Sequence, residues 1–279
     1  MKKILFLLLL SSFNLLAQKG NKNLFAEYED TLKVMAHRIM NAEREEDRIA
    51  ANNAFTENLL EVLKYEKSFK FPFDSLVTIA RLTAPDNSFR IFNWLLKKDN
   101  GSYTYFGYVH YHNKRRNRYD IIPLIDNSSN IRNAIQEDLD AKNWYGALYY
   151  KIIYIKKGSR KFYTLLSWDG NDGFSTKKII DVMYFSGKNR IKFGLPIFKT
   201  EKKKSQKRVI LEYDSKTAAS LRYNYETKSI VFNHLIPPTK DLEGLPEYYI
   251  PEGTFNAYEF NKGKWWLKHD IDARNSFSY

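Results

Sequence analysis

The chain contains no cysteine. That excludes disulfide crosslinks, so stability must come from a packed core, and it excludes a thiol near the N-terminus that could carry a lipid. There is no Gly-x-Ser-x-Gly nucleophile elbow and no glycine-rich loop of the kind that cradles phosphate, so the usual marks of nucleophilic and phosphate-handling chemistry are missing. Beyond the first residues no run reaches the roughly 20 apolar residues that a membrane-spanning helix needs. No repeat at a fixed period is visible either.

What is present begins with a leader pattern. Lys2 and Lys3 precede an apolar run from Ile4 to Leu10, then Ser11, Ser12 and a cut expected after Ala17. This is the order of a secretory signal peptide, with the apolar run too short for an anchor. The expectation is therefore an exported protein, periplasmic or secreted, with no transmembrane segment in the mature chain. The full chain carries a formal charge of +13, and loss of Lys2 and Lys3 leaves +11. A surplus of that size favours anionic partners such as an acidic polysaccharide, another anionic envelope component, nucleic acid or a membrane surface.

After the leader, Leu24, Phe25, Tyr28, Leu32, Met35, Ile39 and Met40 recur at three- and four-residue spacing. A second such series runs through Ile49, Phe55, Leu59, Leu60 and Leu63. Both predict helices, and the charged run 43–48 between them is the turn of a helical hairpin occupying residues 18–73. From Pro85 onward the rhythm changes to strands. Asn100-Gly101 between two aromatic-rich runs is a hairpin signal, and residues 147–185 hold three apolar runs in succession, which read as a β-meander. Further strands are expected at 191–198, 209–213, 218–223, 230–235, 255–260 and 265–271.

Connections this short favour antiparallel pairing. Residues 74–279 thus read as one large antiparallel meander sheet system, barrel-like or propeller-like, in an α+β chain that is mostly β. Ile131, Ala134, Ile135 and Leu139 share a helical face behind Ser128 or Ser129 as N-cap, which predicts one inserted helix near 128–144.

Several residues suggest chemistry. His110 and His112 project from one face of a strand, close enough to share a metal ion. Asp169-Gly170-Asn171-Asp172-Gly173 offers oxygen ligands of the type calcium takes, although a tight turn needs the same residues. Asp169, Asp172 and Asp181 are the candidate acid and base, Asp181 because it lies in an otherwise apolar strand where burial would raise its pKa. Arg115, Arg116 and Arg118 lie between aromatic strands and, with Trp168, form the candidate ligand-binding set, since aromatics beside cations suit a sugar ring with acidic substituents or single-stranded nucleic acid. No cofactor is implied.

The stretches 82–90 with Phe92-Asn93-Trp94, then 165–171 and 251–258, resemble exported proteins of unassigned function from Bacteroidota. The resemblance implies an envelope or secreted location and brings no activity with it. The expectation is a non-catalytic binding or structural module of the cell envelope. Alternatives are a hydrolase of glycans or another envelope polymer acting through Asp carboxylates, or a binder of anionic surfaces or nucleic acid through basic turns.

Overall fold

The structure is a computed structural model that describes residues 24–113, 116–187, 190–200 and 204–272. The leader expected at 1–17 and the candidate Arg115 lie outside the described residues. None of the described helices is long and apolar enough to cross a membrane.

Helices α1 (24–41) and α2 (Glu45–Leu63) form the expected hairpin. The break between them has a chemical cause in Arg48, which is buried. Its Nη1 donates to the carbonyls of Ala42 and Glu43 at 2.9 and 2.7 Å, and its Nε donates to the Lys97 carbonyl at 3.0 Å. Carbonyls at the end of α1 that have no helical partner are thereby satisfied, and the turn is tied to the sheet beneath.

That sheet runs in the order β1 (Ala80–Thr83), β2 (Phe89–Lys97), β3 (Tyr103–Asn113) and β4 (Arg118–Ile125). The expected Asn-Gly hairpin joins β2 to β3, with Gly101 at a φ of +87°. Strand side chains alternate between faces. Phe92, Trp94, Phe106 and Tyr108 turn outward onto the helices, with Trp94 stacked on Phe106 and its Nε1 donating to Asn52 Oδ1 at 2.7 Å. Phe89, Ile91, Leu95 and Val109 turn inward to a second core.

The central sheet runs β5 (Leu139–Asp140), β9 (Arg190–Phe193), β8 (Ser175–Ser186), β7 (Arg160–Asp169) and β6 (Leu148–Lys157), with β12 (Val209–Asp214) also paired to β8. The expected meander is its heart. A third sheet holds β11 (Ser205–Gln206), β10 (Phe198–Lys199), β16 (Lys264–Lys268), β15 (Ile250–Asn261), β14 (Ser229–Ile236) and β13 (Leu221–Asn224). All pairings between these strands are antiparallel except the short one between β10 and β16, and an isolated parallel bridge joins Asp126 to Trp144.

The result is four layers: helices, first sheet, central sheet, third sheet. The core between the central and third sheets contains Leu166, Ile180, Phe198, Phe232, Tyr258 and Trp265. β1 lies alongside β6, while the end of β4 is hydrogen-bonded to residues 141–144, so the first and central sheets meet along both margins as a half-barrel. No propeller arrangement is present among the described strands.

The helix expected near 128–144 is absent. Only a 3-10 turn at Ser128–Asn130 and the two residues of β5 occupy that stretch. Asp126 Oδ1 accepts from the Ser128 amide at 3.1 Å and its hydroxyl at 2.6 Å, which turns the chain immediately. The Ile125 amide then donates to Ala141, and the Trp144 amide donates to the Ile125 carbonyl. Backbone groups that a helix would use internally are committed to the end of β4, and Leu139 reaches the core from a strand instead.

Candidate functional site

A cleft of about 720 Å3 opens where the β6–β7 turn, the end of β8, residues 195–197 and the β15–β16 turn converge, with Ser88 and Tyr111 contributed by the first sheet. Its wall is aromatic: Phe162, Tyr163, Tyr184 and Phe185 lie along it. Tyr111 packs on Phe185 with ring centroids 4.6 Å apart, and Phe89 meets Tyr163 edge-on at 4.7 Å. Lys157, Arg160, Lys161 and Lys264 line the same cleft. The two turns that supply these cations are about 105 residues apart in sequence and touch directly, through a 2.9 Å bond from Lys157 Nζ to the Lys262 carbonyl.

Gly263 makes that approach possible. Its φ is +84°, and a Cβ placed there would stand 2.4 Å from Lys157 Nζ. A side chain would have to displace the amine and hold a backbone conformation that L-residues avoid.

Asp86 sits beside the cleft. Its carboxylate accepts from Ser88 Oγ at 2.6 Å, Lys161 Nζ at 3.0 Å and Tyr163 OH at 3.1 Å. Burial alone would push this carboxyl up, but the bonds from Ser88, Lys161 and Tyr163 together with the Lys161 charge hold it below the usual range. Lys161 answers by moving upward, chiefly through its bond to Asp86. Lys264 moves the other way: burial lowers it, and the charges of Lys199 and Lys157 add to the effect. Its Nζ donates to the Pro196 carbonyl at 2.7 Å. The cleft therefore gathers cations that repel one another faster than it supplies carboxylates to pair them.

The residues singled out from sequence go elsewhere. Asp181 is fully buried in β8 and paired with Arg208, with Nε 2.6 Å from Oδ2. Burial drives its carboxyl up and the arginine pulls it back. Asp169 is buried too, accepting from Tyr105 OH and the Asn171 amide at 2.8 Å each, and burial raises it. Asp169 faces Lys177 across β7 and β8, four residues from Asp181, which is about 13 Å along the strand. Asp172 Oδ1 accepts from the amides of Phe174 and Ser175 at 3.0 and 3.2 Å. The three do not form an acid–base pair across one cleft. The Asp169–Gly173 stretch is a turn in which Asp169 Oδ1 accepts from the Asn171 amide and Asp172 Oδ1 from the amides of Phe174 and Ser175 just beyond it.

His110 and His112 do share a face, as expected, but aromatic rings fill the space between them. Phe69 lies 5.2 Å from the His110 ring, and Tyr119 stacks on His112 at 4.6 Å. Burial and the adjacent Arg90 push His110 down to about 4. Among the described residues no group of three or more His, Asp or Glu side chains could hold a metal ion. Arg116 is exposed in the β3–β4 turn, and Arg118 pairs with Asp120 at 2.7 Å. Trp168 packs edge-on against Tyr103 at 5.7 Å on the central sheet, apart from these arginines.

The cleft cations were legible only as turn residues. Lys156-Lys157-Gly158-Ser159-Arg160 and Asn261-Lys262-Gly263 each read as a polar hairpin tip, and nothing local says that the two tips meet. No family model matches the chain, and no curated protein and no solved structure matches it.

Proposed function

We propose that this protein is an exported, non-catalytic binding module of the cell envelope, and that the 720 Å3 cleft receives an anionic, ring-bearing ligand, an acidic glycan. The observation that carries this reading is the convergence of Lys157, Arg160, Lys161 and Lys264 on a wall formed by Phe162, Tyr163, Tyr184 and Phe185. Aromatic faces suit the apolar side of a sugar ring, while lysine and arginine bind carboxylate or sulfate substituents. The leader pattern and the resemblance to exported proteins supply the location in this proposal.

The hydrolase alternative loses its candidate residues, because Asp169, Asp172 and Asp181 each serve a separate local bond network. Glycoside hydrolysis needs two carboxyl groups about 5 to 9.5 Å apart across one cleft.

Calorimetric titration of the mature protein with a uronic-acid oligosaccharide, set against a neutral oligosaccharide of equal length, tests the proposal. Saturable binding of the acidic chain alone, persisting at physiological salt, is expected. Equal response to both chains, or loss of binding at modest salt, would overturn it, since pure charge attraction between exposed groups is screened over about 8 Å at that ionic strength. Single-stranded DNA as competitor separates the nucleic-acid alternative, and tighter binding of DNA than of the oligosaccharide would favour that reading instead.

A further inference from the structure

A groove of about 480 Å3 lies along the free edge of β6. β6 ends the central sheet, β1 ends the first and β13 ends the third, and side chains from all three edge strands line it. β1 supplies Thr83, β6 supplies Tyr150, Lys151 and Tyr154, and β13 with the turn after it supplies Tyr223 and Tyr225. The Tyr150 hydroxyl donates to the Leu221 carbonyl at 2.8 Å and ties β6 to β13.

The rings are within reach of a ligand. Tyr225 is 68% exposed and Tyr150 39%, while Tyr154 and Tyr223 are half-buried. Tyr225 is nevertheless held in place. Lys151 Nζ donates to its hydroxyl and lies 4.4 Å from its ring centre, and Tyr223 packs against it edge-on at 5.1 Å. A ring already fixed loses less freedom when a ligand arrives. Among the described residues no Asp or Glu lines the groove, and its lysine is engaged with Tyr225. Four tyrosines in such a setting suit the apolar faces of uncharged rings, with phenol hydroxyls and Thr83 as hydrogen-bonding partners.

The groove adjoins the cleft. Tyr154 packs on Tyr163 of the cleft wall at 5.5 Å, and Lys161 of the cleft stands 5.8 Å over the Tyr154 ring. Lys157, also in the cleft, is three residues further along β6, about 10 Å away. A peptide strand added to the β6 edge would compete for this space. Two features oppose it: the ladder to β7 is broken by a bulge at Tyr150, and Lys151, Lys156 and Lys157 punctuate the strand.

We propose that the tyrosine groove extends the glycan-binding surface and receives the uncharged sugar units that adjoin the acidic unit held in the cleft. This rests on the reading of the cleft as an acidic-glycan site. It makes the ligand a mixed polysaccharide several rings long, in which the four cations of the cleft and the tyrosines of the groove select different units.

Calorimetry on the mature protein with two probes gives the test: a disaccharide of one uronic acid and one neutral sugar, and a hexasaccharide of the same repeat. The hexasaccharide is expected to bind more tightly. Tyr225→Ala and Tyr223→Leu should each lower its affinity about fivefold and leave that of the disaccharide unchanged. Tyr225 is exposed enough for its removal to spare the fold, and an unchanged Tm serves as the check on Tyr223→Leu. Lys264→Gln should weaken both probes. A length gain that survives both tyrosine variants would overturn the groove and leave the cleft reading intact. Binding that depends on the tyrosines and ignores Lys264→Gln would overturn the cleft reading and support the groove, whereas failure of both probes to bind would overturn both. Saturable binding of an extended peptide, insensitive to Tyr225→Ala, would assign the groove to strand pairing and also overturn the proposal.

Discussion

Two carboxylate–cation pairs in this protein are built from similar groups and do different things. Asp181 and Arg208 meet in the interior, where β8 exchanges β12 for β9 as its edge partner. Asp86 and Lys161 meet beside the cleft, with half of the lysine side chain exposed. In the first pair neither partner can reach water, and their remaining bonds are to the backbone: Arg208 Nη1 donates to the Ala134 carbonyl, and Asp181 Oδ1 accepts from the Val182 amide. In the second the lysine retains access to the cleft and can exchange its carboxylate for a ligand. Identical pairing chemistry is structural in one place and available in the other, and solvent access makes the difference.

The comparison is broken most severely by removing one interior partner. Arg208→Ala leaves Asp181 buried and uncompensated and is expected to cost about 3–5 kcal/mol by urea denaturation. Replacing both together, Asp181→Leu with Arg208→Met, is expected to be close to neutral. If the single and double variants lose the same amount, the pair is not acting as an isolated ion pair.

His110 extends the contrast to a buried group with no hydrogen-bond partner on either ring nitrogen. Its folded value is about 4 against an ordinary 6.5, so between those limits the unfolded chain binds the extra proton. Stability from this residue is present above pH 6.5 and falls as pH drops towards 4, by roughly 3 kcal/mol over that window. Denaturation at stepped pH should show the slope in the wild type and a flatter profile in His110→Phe.

Asp86→Asn is expected to cost less than about 1 kcal/mol, because Lys161 is half exposed. The sign of its pH dependence is the same as that of His110 and only the cause differs: burial disfavours the charged imidazole, whereas the bonds from Ser88, Lys161 and Tyr163 favour the charged carboxylate. The folded value of Asp86 is depressed, so its contribution is present above the ordinary carboxylate range and lost as pH falls through the folded value. The difference in stability between wild type and Asp86→Asn should therefore close in acid.

Lys264→Gln gives the smallest stability change, within about 0.5 kcal/mol, since the lost bond to Pro196 is offset by relief from Lys157 and Lys199. The same variant should weaken uronic-acid oligosaccharide binding by about tenfold, the size of one charge-assisted hydrogen bond. A variant that loses stability and keeps affinity would put Lys264 among the structural cations.

Most strand runs, the helical hairpin and the Asn100-Gly101 turn were readable because each depends on a few adjacent residues, whereas the run expected at 191–198 splits into β9 and β10, which join different sheets. Periodicity of two or of three to four, and a glycine able to take a positive φ, are properties of short windows. The failure at 128–144 has the same origin. Ile131, Ala134, Ile135 and Leu139 fit a helix locally, but the end of β4 claims the backbone of this stretch, and β4 lies outside any window that contains the pattern. Asp181 lies in an apolar run and is buried as that pattern suggests, whereas its partner Arg208 closes the basic run 202–208, which locally has the composition of a solvated turn. His110 and His112 share a face as their spacing required, but Phe69 and Tyr119, which fill that face, arrive from other segments.

The sequence by itself determined the absence of crosslinks, the positive charge, the helical start and the antiparallel character of the rest, because composition and near-neighbour patterning suffice for these. Only the tertiary structure decided that three sheets stack and that the β6–β7 and β15–β16 turns meet with their lysines on one aromatic wall. The physical reason is that sheet stacking is driven by burial of whole faces, which is a sum over many distant residues. The company a turn keeps is set by that sum and not by the turn.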